Sequence, residues 1–368
     1  MENNFIFCKK DRTCGGFVLS KKSKKQKGQK KSLKSLYIQT LLITLAILVT
    51  FLLVLYGVFI YFVGGLNRKQ LDESKLSVNA GLAQESGKIT NIALYGLDSR
   101  NHDYKGLSDV IMIASINSKT NNVKLISIAR DTYVDVPGYG KTKISHAYSY
   151  GGAELAIQTL NENFGLNITD YVTANFDSLA EVIDAVGGVD IEVSEAERQQ
   201  INAYLLAGEP LRETGMVHLN GPQAVSYARI RKIDSDNMRT QRQRNVLEQV
   251  FQNAKTISPL QYPALVRQLT PLVETSLSNE EILQLLSVGM TSGLTLEQGA
   301  FPNEYIESTG QTIGELWYYV YDVDQAAEMI HDFIYKDIPF SQYGMTEAER
   351  EAANAEQTQY DENAEQTQ

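Results

Sequence analysis

The sequence YARIRKIDSDNMRTQR occupies residues 227–242 and is rich in arginine, although the 368-residue chain has a formal net charge of −10. Its charged residues are Arg229, Arg231, Lys232, Asp234, Asp236, Arg239 and Arg242. The pattern of residues 225–230 predicts a strand, in which alternate side chains share a face. Arg229 and Arg231 would therefore point in the same direction.

A helix is predicted from Met238 onward, because apolar residues recur at helical spacing as far as Pro259. Arg239 and Arg242 would lie one turn apart on one face of this helix. Planar guanidinium groups hold phosphate through paired hydrogen bonds, whereas a lysine ammonium group acts as a point charge. We therefore predict that the two arginine pairs form an anion clamp.

An uncharged segment, residues 37–63, separates a basic region from an acidic one. Residues 1–36 carry eleven basic and two acidic side chains, whereas residues 64–368 have a net charge of −19. A helix of residues 37–63 would extend about 40 Å, which exceeds the roughly 30 Å of a bilayer's hydrocarbon core. A cleaved signal peptide is the alternative, but its apolar core would be about half as long. We predict one transmembrane helix.

The lysines that precede this segment predict its orientation, because cytoplasmic flanks of membrane helices are enriched in basic residues. The protein is therefore expected in the cell membrane as a single-pass protein, with residues 1–36 in the cytoplasm and everything after Val63 outside. Cys8 and Cys14 are the only cysteines and lie in this arm, so the exported part has no disulfide and no cysteine-bound zinc. The arm is too small for a helix-turn-helix, and no nucleic-acid partner is predicted.

Short apolar runs alternate with amphipathic ones between Ile89 and Ile257, which predicts an α/β core. The predicted strands are 89–95, 110–117, 123–129 and 189–193, and the predicted helices are 151–164, 178–186 and 243–257. Further helices are predicted after the capping-box sequence SNEE at 278–281 and at 324–335. The Ala-, Glu- and Gln-rich residues 341–368 predict a disordered acidic tail.

Charged residues fall at the ends of the first three predicted strands. They are Asp98 and Arg100, Asp109, and Arg130. Ligands of open α/β sheets bind at the carboxyl ends of strands, and Mg²⁺ prefers one or two carboxylates together with phosphate oxygens. Each residue alone is compatible with a surface ion pair or a cap, but the grouping predicts a pyrophosphate site. The chain lacks a zinc-binding histidine pair, a serine nucleophile elbow and a nucleotide-binding Walker loop.

Seven motifs resemble, in order, those of the LytR-CpsA-Psr family of membrane-anchored cell-wall enzymes. They are GLDSR (96–100), SDVIM (108–112), SIARDTYV (127–134), KISHAYSYGG (143–152), DAVGGVD (184–190), LNGPQAVSYARIR (219–231) and DNMRTQRQ (236–243). The resemblance covers about residues 89–257 and is specific. Ala129 departs from it, because the family usually has proline there, and this should loosen the loop while keeping Arg130.

The resemblance implies a three-layer α-β-α extracellular domain with a central mixed sheet. The predicted organisation is a basic cytoplasmic arm (1–36), a transmembrane helix (37–63), a spacer (64–88), a catalytic domain (89–257), a helical and strand extension (258–340) and the tail (341–368). It also implies a phosphotransferase that moves an anionic glycopolymer, such as teichoic acid or capsular polysaccharide, from a polyprenyl-pyrophosphate carrier to peptidoglycan.

Particular residues are assigned roles by these motifs. The implied catalytic residues are Asp98, Asp109, Arg130, Arg229 and Arg231, with Asp98 and Asp109 as Mg²⁺ ligands. The expected substrate-binding residues are Arg100, Asp236 and Arg239, together with Arg242 from the clamp. Three alternatives remain open at this point: a polyprenyl-pyrophosphate hydrolase, a non-catalytic anchor for lipid-linked polymer or wall, and a transcriptional attenuator.

Overall fold

The computed structural model describes residues 33–79, 81–82, 88–97, 106–205, 208–258, 261–289 and 293–355. The chain divides into two compact units, Met1–Tyr56 and Gly57–Gln368. Among the described helices, none combines the length and the apolar character that crossing a bilayer requires. The transmembrane helix thus stays a prediction from sequence.

The helices and strands are bounded as follows. The helices are α1 (Leu33–Val63), α2 (Ile144–Phe164), α3 (Phe176–Ala185), α4 (Glu195–Tyr204), α5 (Gly221–Ala228), α6 (Asp236–Thr256), α7 (Tyr262–Leu269), α8 (Asn279–Gly289) and α9 (Val323–Lys336). The strands are β1 (Asn67–Arg68), β2 (Ile89–Leu97), β3 (Ser108–Asn117), β4 (Asn122–Ile128), β5 (Tyr133–Val136), β6 (Gly140–Lys143), β7 (Asp170–Asn175), β8 (Val189–Val193), β9 (Gly215–Leu219), β10 (Val273–Thr275), β11 (Thr295–Phe301), β12 (Ser308–Ile313) and β13 (Leu316–Tyr321).

A seven-stranded mixed sheet forms the centre of the second unit, in the order β1-β10-β7-β2-β3-β4-β11. The chain forms an antiparallel meander from β2 to β4, while β7 pairs parallel to β2 and β11 parallel to β4. The remaining strands form three two-stranded sheets, β5-β6, β8-β9 and β12-β13. The mixed α/β fold predicted from the sequence is therefore confirmed.

Helices cover both faces of the central sheet. Helices α2 and α9 bury their apolar faces against β2, β3 and β4, with Ile113, Ile157 and Met329 inaccessible to solvent. On the opposite face, Leu247 of α6 packs against Met112 of β3 and its neighbours. Burying apolar surface on both sides is what makes strands of this kind almost continuously hydrophobic.

A second, smaller core lies beside the sheet and carries part of the arginine-rich stretch. Helices α3, α4 and α5 pack with the antiparallel pair β8-β9 around Ile183, Ile201 and Leu219, each fully buried. Gly221 at the start of α5 lies so close to α3 that any Cβ there would overlap the Ala180 carbonyl oxygen. This close approach positions the residues that follow α5.

The strand predicted at 225–230 is wrong, because the chain forms helix α5 there. Asn220 and Gln223 form a capping box at its first turn, and Pro222 occupies a position that proline favours at a helix start. Side-chain alternation therefore does not set the directions of Arg229 and Arg231. Arg229 caps the carboxyl end of α5, and Arg231 lies in the connection to α6.

Three other expectations also change. The predicted spacer contributes β1 to the central sheet and the buried Leu76 to its core. The predicted disordered tail begins with a helix at 347–355, whose start is stabilised by reciprocal hydrogen bonds between Thr346 and Glu349, while residues 356–368 lie outside the described part. At the Ala129 loop, which was expected to be looser, the Ala129 N–H donates to the Phe301 carbonyl at 2.9 Å, a bond that proline could not make and that opposes loosening.

Candidate anion-binding active site

Four segments bring charged side chains together. Asp109 is the second residue of β3, Arg130 follows β4, and Arg229 ends α5. Arg239 lies in the first turns of α6, which begins at the capping residue Ser235, whose hydroxyl accepts the Met238 N–H. A capped helix start next to a helix end thus places Arg229 and Arg239, which belong to two successive motifs, at one pocket.

These segments enclose a pocket of about 170 Å³. It is lined by Asp109, Phe176, Tyr204, Arg229, Arg231, Arg239 and Gln243. The guanidinium carbon of Arg229 lies 4.6 Å from the centre of the Phe176 ring, a cation–π contact that helps to hold this side chain in the pocket. Three arginines against one aspartate make the pocket cationic, although residues 64–368 as a whole are acidic.

Asp109 links the arginines at the edge of this pocket. Its carboxylate forms an ion pair with Arg130, and its second oxygen lies 3.9 Å from Arg231. Arg130 is also 3.4 Å from Asp131, which accepts a hydrogen bond of 2.6 Å from Lys143. This chain of alternating charges holds Arg130 in place, and the arrangement can bind a multiply charged anion such as a pyrophosphate.

Arg242 has a structural role instead of the predicted substrate-binding one. It is only 3% exposed and forms ion pairs with Asp234 and, at 2.8 Å, with Glu197 of α4. Burial alone would lower the pKa of Arg242, but the hydrogen bonds to the two carboxylates outweigh it and raise the pKa. Arg242 therefore fastens the connection between α5 and α6 to α4 rather than contacting a ligand.

Three of the predicted site residues cannot be placed by their side chains. Asp98 and Arg100 lie outside the described residues, and so does the side chain of Asp236, the first residue of α6. The register of the sheet pairs Leu97 with Ser108. These two residues directly precede Asp98 and Asp109, the predicted Mg²⁺ ligands.

The prediction missed three residues of the pocket, Phe176, Tyr204 and Gln243. The position of Gln243 could have been inferred, because it lies one helical turn after Arg239 and shares its face of α6. Phe176 and Tyr204 carry no local signal, since they reach the pocket only through the packing of α3 and α4 against α5.

The described residues contain no cluster of three or more His, Cys, Asp or Glu side chains placed to hold a metal ion. Asp109 is the carboxylate that the described lining offers, and both of its oxygens face guanidinium groups. One carboxylate with phosphate oxygens is a donor set that Mg²⁺ accepts. The residues present thus fit a magnesium ion that is held jointly with a bound phosphate.

Comparison with known proteins identifies relatives. The LytR_cpsA_psr family model matches residues 64–333. The teichoic acid transferase TagU of Oceanobacillus iheyensis is 35% identical over 241 residues, which cover 62% of this chain and 70% of that protein. TagU of Bacillus anthracis is 33% identical over 211 residues, covering 56% of this chain and 67% of the relative.

Solved structures share the fold. TagV of Bacillus subtilis superposes with a TM-score of 0.54 at 26% identity, covering 67% of this chain and 97% of that one. TagT with bound octaprenyl pyrophosphate lipid has a TM-score of 0.53 at 23% identity, covering 68% and 92%. The family model spans most of the chain and includes the arginine pocket, so the protein belongs to the LytR-CpsA-Psr family.

Proposed function

We propose that the protein transfers an anionic glycopolymer from a polyprenyl-pyrophosphate carrier to peptidoglycan. The observation that carries this proposal is the convergence of Arg229, Arg231 and Arg239, with Arg130 beside them, around one small pocket. The TagU relatives are named as polyisoprenyl-teichoic acid–peptidoglycan teichoic acid transferases. A protein of the same fold has been solved with a bound octaprenyl pyrophosphate.

The reaction is a phosphoryl transfer between two oxygens. A hydroxyl of the acceptor sugar attacks the phosphorus that carries the polymer and forms a new P–O bond. The bond from that phosphorus to the bridging oxygen breaks, and the carrier leaves as polyprenyl monophosphate. Such reactions depend on positioning and charge stabilisation, and the arginines supply both by holding the leaving phosphate as its negative charge grows.

Asp109 is the residue we assign to the proton of the attacking hydroxyl. Its ion pair with Arg130 orients the carboxylate at the edge of the pocket, where an incoming hydroxyl can donate to it. Asp98 and Asp109, with phosphate oxygens, would hold Mg²⁺. When bound, the ion neutralises charge on the non-bridging oxygens. The carrier pyrophosphate supplies the driving force, so the reaction requires no nucleotide.

The anchor and the location form part of the same proposal and are supported by the sequence. Residues 37–63 are uncharged and follow a lysine-rich arm, which favours a single membrane helix with its amino terminus in the cytoplasm. This arrangement keeps the active site on the side of the membrane where lipid-linked polymer and peptidoglycan meet.

The proposal predicts different defects for two pocket variants. Arg229→Ala removes a charged contact to the pyrophosphate and should raise the Kd for the lipid-linked donor by about 10- to 100-fold. Asp109→Asn should lower transfer at least about 100-fold even at saturating donor, because the carboxylate that takes the hydroxyl proton is lost. The full chain in detergent micelles is incubated with donor and peptidoglycan fragments, and new phosphodiesters are counted by mass spectrometry.

Arg212→Ala is the matched control, because Arg212 is exposed and lies outside the lining of the pocket. Normal transfer by both pocket variants would remove the basis of the enzymatic proposal. Release of polyprenyl phosphate without polymer on the acceptor would favour a hydrolase. Donor binding without release by the wild-type protein would favour a non-catalytic anchor.

A further inference from the structure

A second, larger cavity adjoins the arginine pocket. It is a groove of about 960 Å³ between α6 and the edge strand β11. Its lining includes Ala129 and Met238, the residues that directly precede Arg130 and Arg239. The hydrogen bond from Ala129 to Phe301 ties this wall to β11. One end of the groove is therefore formed by residues adjacent in sequence to Arg130 and Arg239.

The lining of the groove offers hydrogen-bond donors that are not used within the described part of the chain. The Nη1 group of Arg244 and the Nδ2 group of Asn303 are buried and make no hydrogen bond there. Burial lowers the pKa of Arg244, as expected for a guanidinium group held away from water. Buried polar groups normally have partners, so these two donors indicate a ligand that presents oxygen acceptors.

The groove also provides an aromatic face and carboxylate acceptors. Tyr305 is 45% exposed and lies in the lining, so its ring can pack against an apolar face while its hydroxyl stays solvated. Glu248 accepts a hydrogen bond of 2.8 Å from Gln298, which orients its carboxylate in the groove. A few placed donors and acceptors around an aromatic surface suit a hydroxylated ring such as a sugar.

The charge of the groove is opposite to that of the arginine pocket. Its charged lining residues are Arg244, Glu248, Glu297 and Glu304, a net charge of −2. Three carboxylates repel a chain of phosphodiesters, because like charges placed together are destabilising. They accept hydrogen bonds from the hydroxyl groups of a neutral glycan without this cost. The groove therefore suits the acceptor glycan and disfavours the anionic donor polymer.

We propose that this groove binds the neutral glycan strand of the acceptor and directs one of its hydroxyl groups to the phosphorus held by the arginines. The proposal rests on the transferase function proposed above and adds the residues that select the acceptor. Its volume lies at the upper end of the roughly 300–1,000 Å³ typical of ligand pockets, which accommodates more than one sugar ring.

The test compares Tyr305→Ala with Tyr305→Phe in the full chain in micelles. The acceptor is an undecorated peptidoglycan oligosaccharide whose lactyl carboxyl groups are amidated, so that the glycan is neutral. Tyr305→Ala should raise the KM for the oligosaccharide about tenfold, whereas Tyr305→Phe keeps the ring and should stay within about threefold of wild type. The Kd for the lipid-linked donor should be unchanged in both variants. Tyr139→Ala is the matched control, because Tyr139 is 57% exposed and lies outside the lining of the groove.

Direct binding of the same oligosaccharide, measured by isothermal titration calorimetry, separates this proposal from the transferase function. Weaker binding by Tyr305→Ala than by Tyr139→Ala supports the groove, even if wild-type protein transfers no polymer. Equal oligosaccharide binding and equal acceptor KM in the two alanine variants would overturn the groove while leaving the transferase function standing. Absence of oligosaccharide binding by the wild-type protein would overturn it as well.

Discussion

Replacing Arg242 by methionine tests whether this arginine stabilises the fold or binds substrate. Methionine keeps much of the length and apolar volume of the side chain but removes the guanidinium group. The change leaves Glu197 and Asp234 without their shared partner and also removes a hydrogen bond of 3.4 Å to the Ile230 carbonyl. We expect a large loss of stability.

The magnitude follows from the exposure of the three groups. The side chain of Arg242 is 3% exposed, whereas those of Glu197 and Asp234 are 15% and 24% exposed. Breaking a fully buried ion pair costs about 3–5 kcal/mol, because a charge is left without compensation. Both carboxylates here reach some solvent, so we expect the lower part of that range, about 3 kcal/mol.

Thermal unfolding followed by circular dichroism measures this effect, with Arg231→Met as the contrasting variant. Arg231 lines the pocket, and its side chain is 41% exposed, so its replacement should leave the melting temperature within about 1 °C. It should instead raise the Kd for the lipid-linked donor by about tenfold or more. Arg242→Met should lower the melting temperature by several degrees.

A third variant excludes a general packing defect. Combining Arg242→Met with Glu197→Gln and Asp234→Asn removes the uncompensated charges and should recover most of the lost stability. Two results would refute the reasoning: an unchanged melting temperature in Arg242→Met, or a triple variant that is less stable than the single one. Either would mean that the ion pairs contribute little to holding α6 against α4.

Two further effects concern packing and acid stability. Gly221→Ala should destabilise the protein by about 3 kcal/mol in denaturant titrations, because its methyl group would overlap the Ala180 carbonyl. Gly289→Ala is the control and should not destabilise the protein, because a Cβ atom at that position meets no atom within 4 Å. Burial alone would raise the pKa of Glu197, but hydrogen bonds from Arg242 and Ser194 lower it below its ordinary 4.5. The stability that Glu197 contributes is therefore present above about pH 4.5 and is lost as the pH falls through the lowered pKa. In that range the unfolding free energy of Glu197→Gln should depend less on pH than that of the wild-type protein.

The elements that sequence periodicity predicted well are those whose apolar pattern is local and strong. The strands β2, β3 and β4 and the helix α6 occur where the pattern predicts them. The capping box predicted at Ser278 and Glu281 is confirmed by its two hydrogen bonds at the start of α8. In each case the signal lies within one strand or one helix, so the prediction needs no contact with a distant segment.

Several of the missed strands depend on pairing between distant segments. Strands β1, β10 and β11 join the central sheet although they come from a predicted spacer and a predicted extension. Helix α5 was mistaken for a strand because its eight residues are too few to show a helical period clearly, although the signals at Asn220, Pro222 and Gln223 were present. Capping residues were therefore a better guide here than alternation.

The sequence by itself determined the family, the mixed α/β class and the motifs that supply arginines and aspartates for phosphate chemistry. Only the tertiary structure decided which arginine does what: Arg239 and Arg242 are three residues apart on one helix and equally buried, yet one lines the pocket and the other pairs with Glu197. The physical reason is that the role of a guanidinium group is set by the carboxylates and rings that surround it. Asp234 is eight residues from Arg242, but the other partners, Glu197, Asp109 and Phe176, lie on strands and helices far away in the chain, and no local pattern records them.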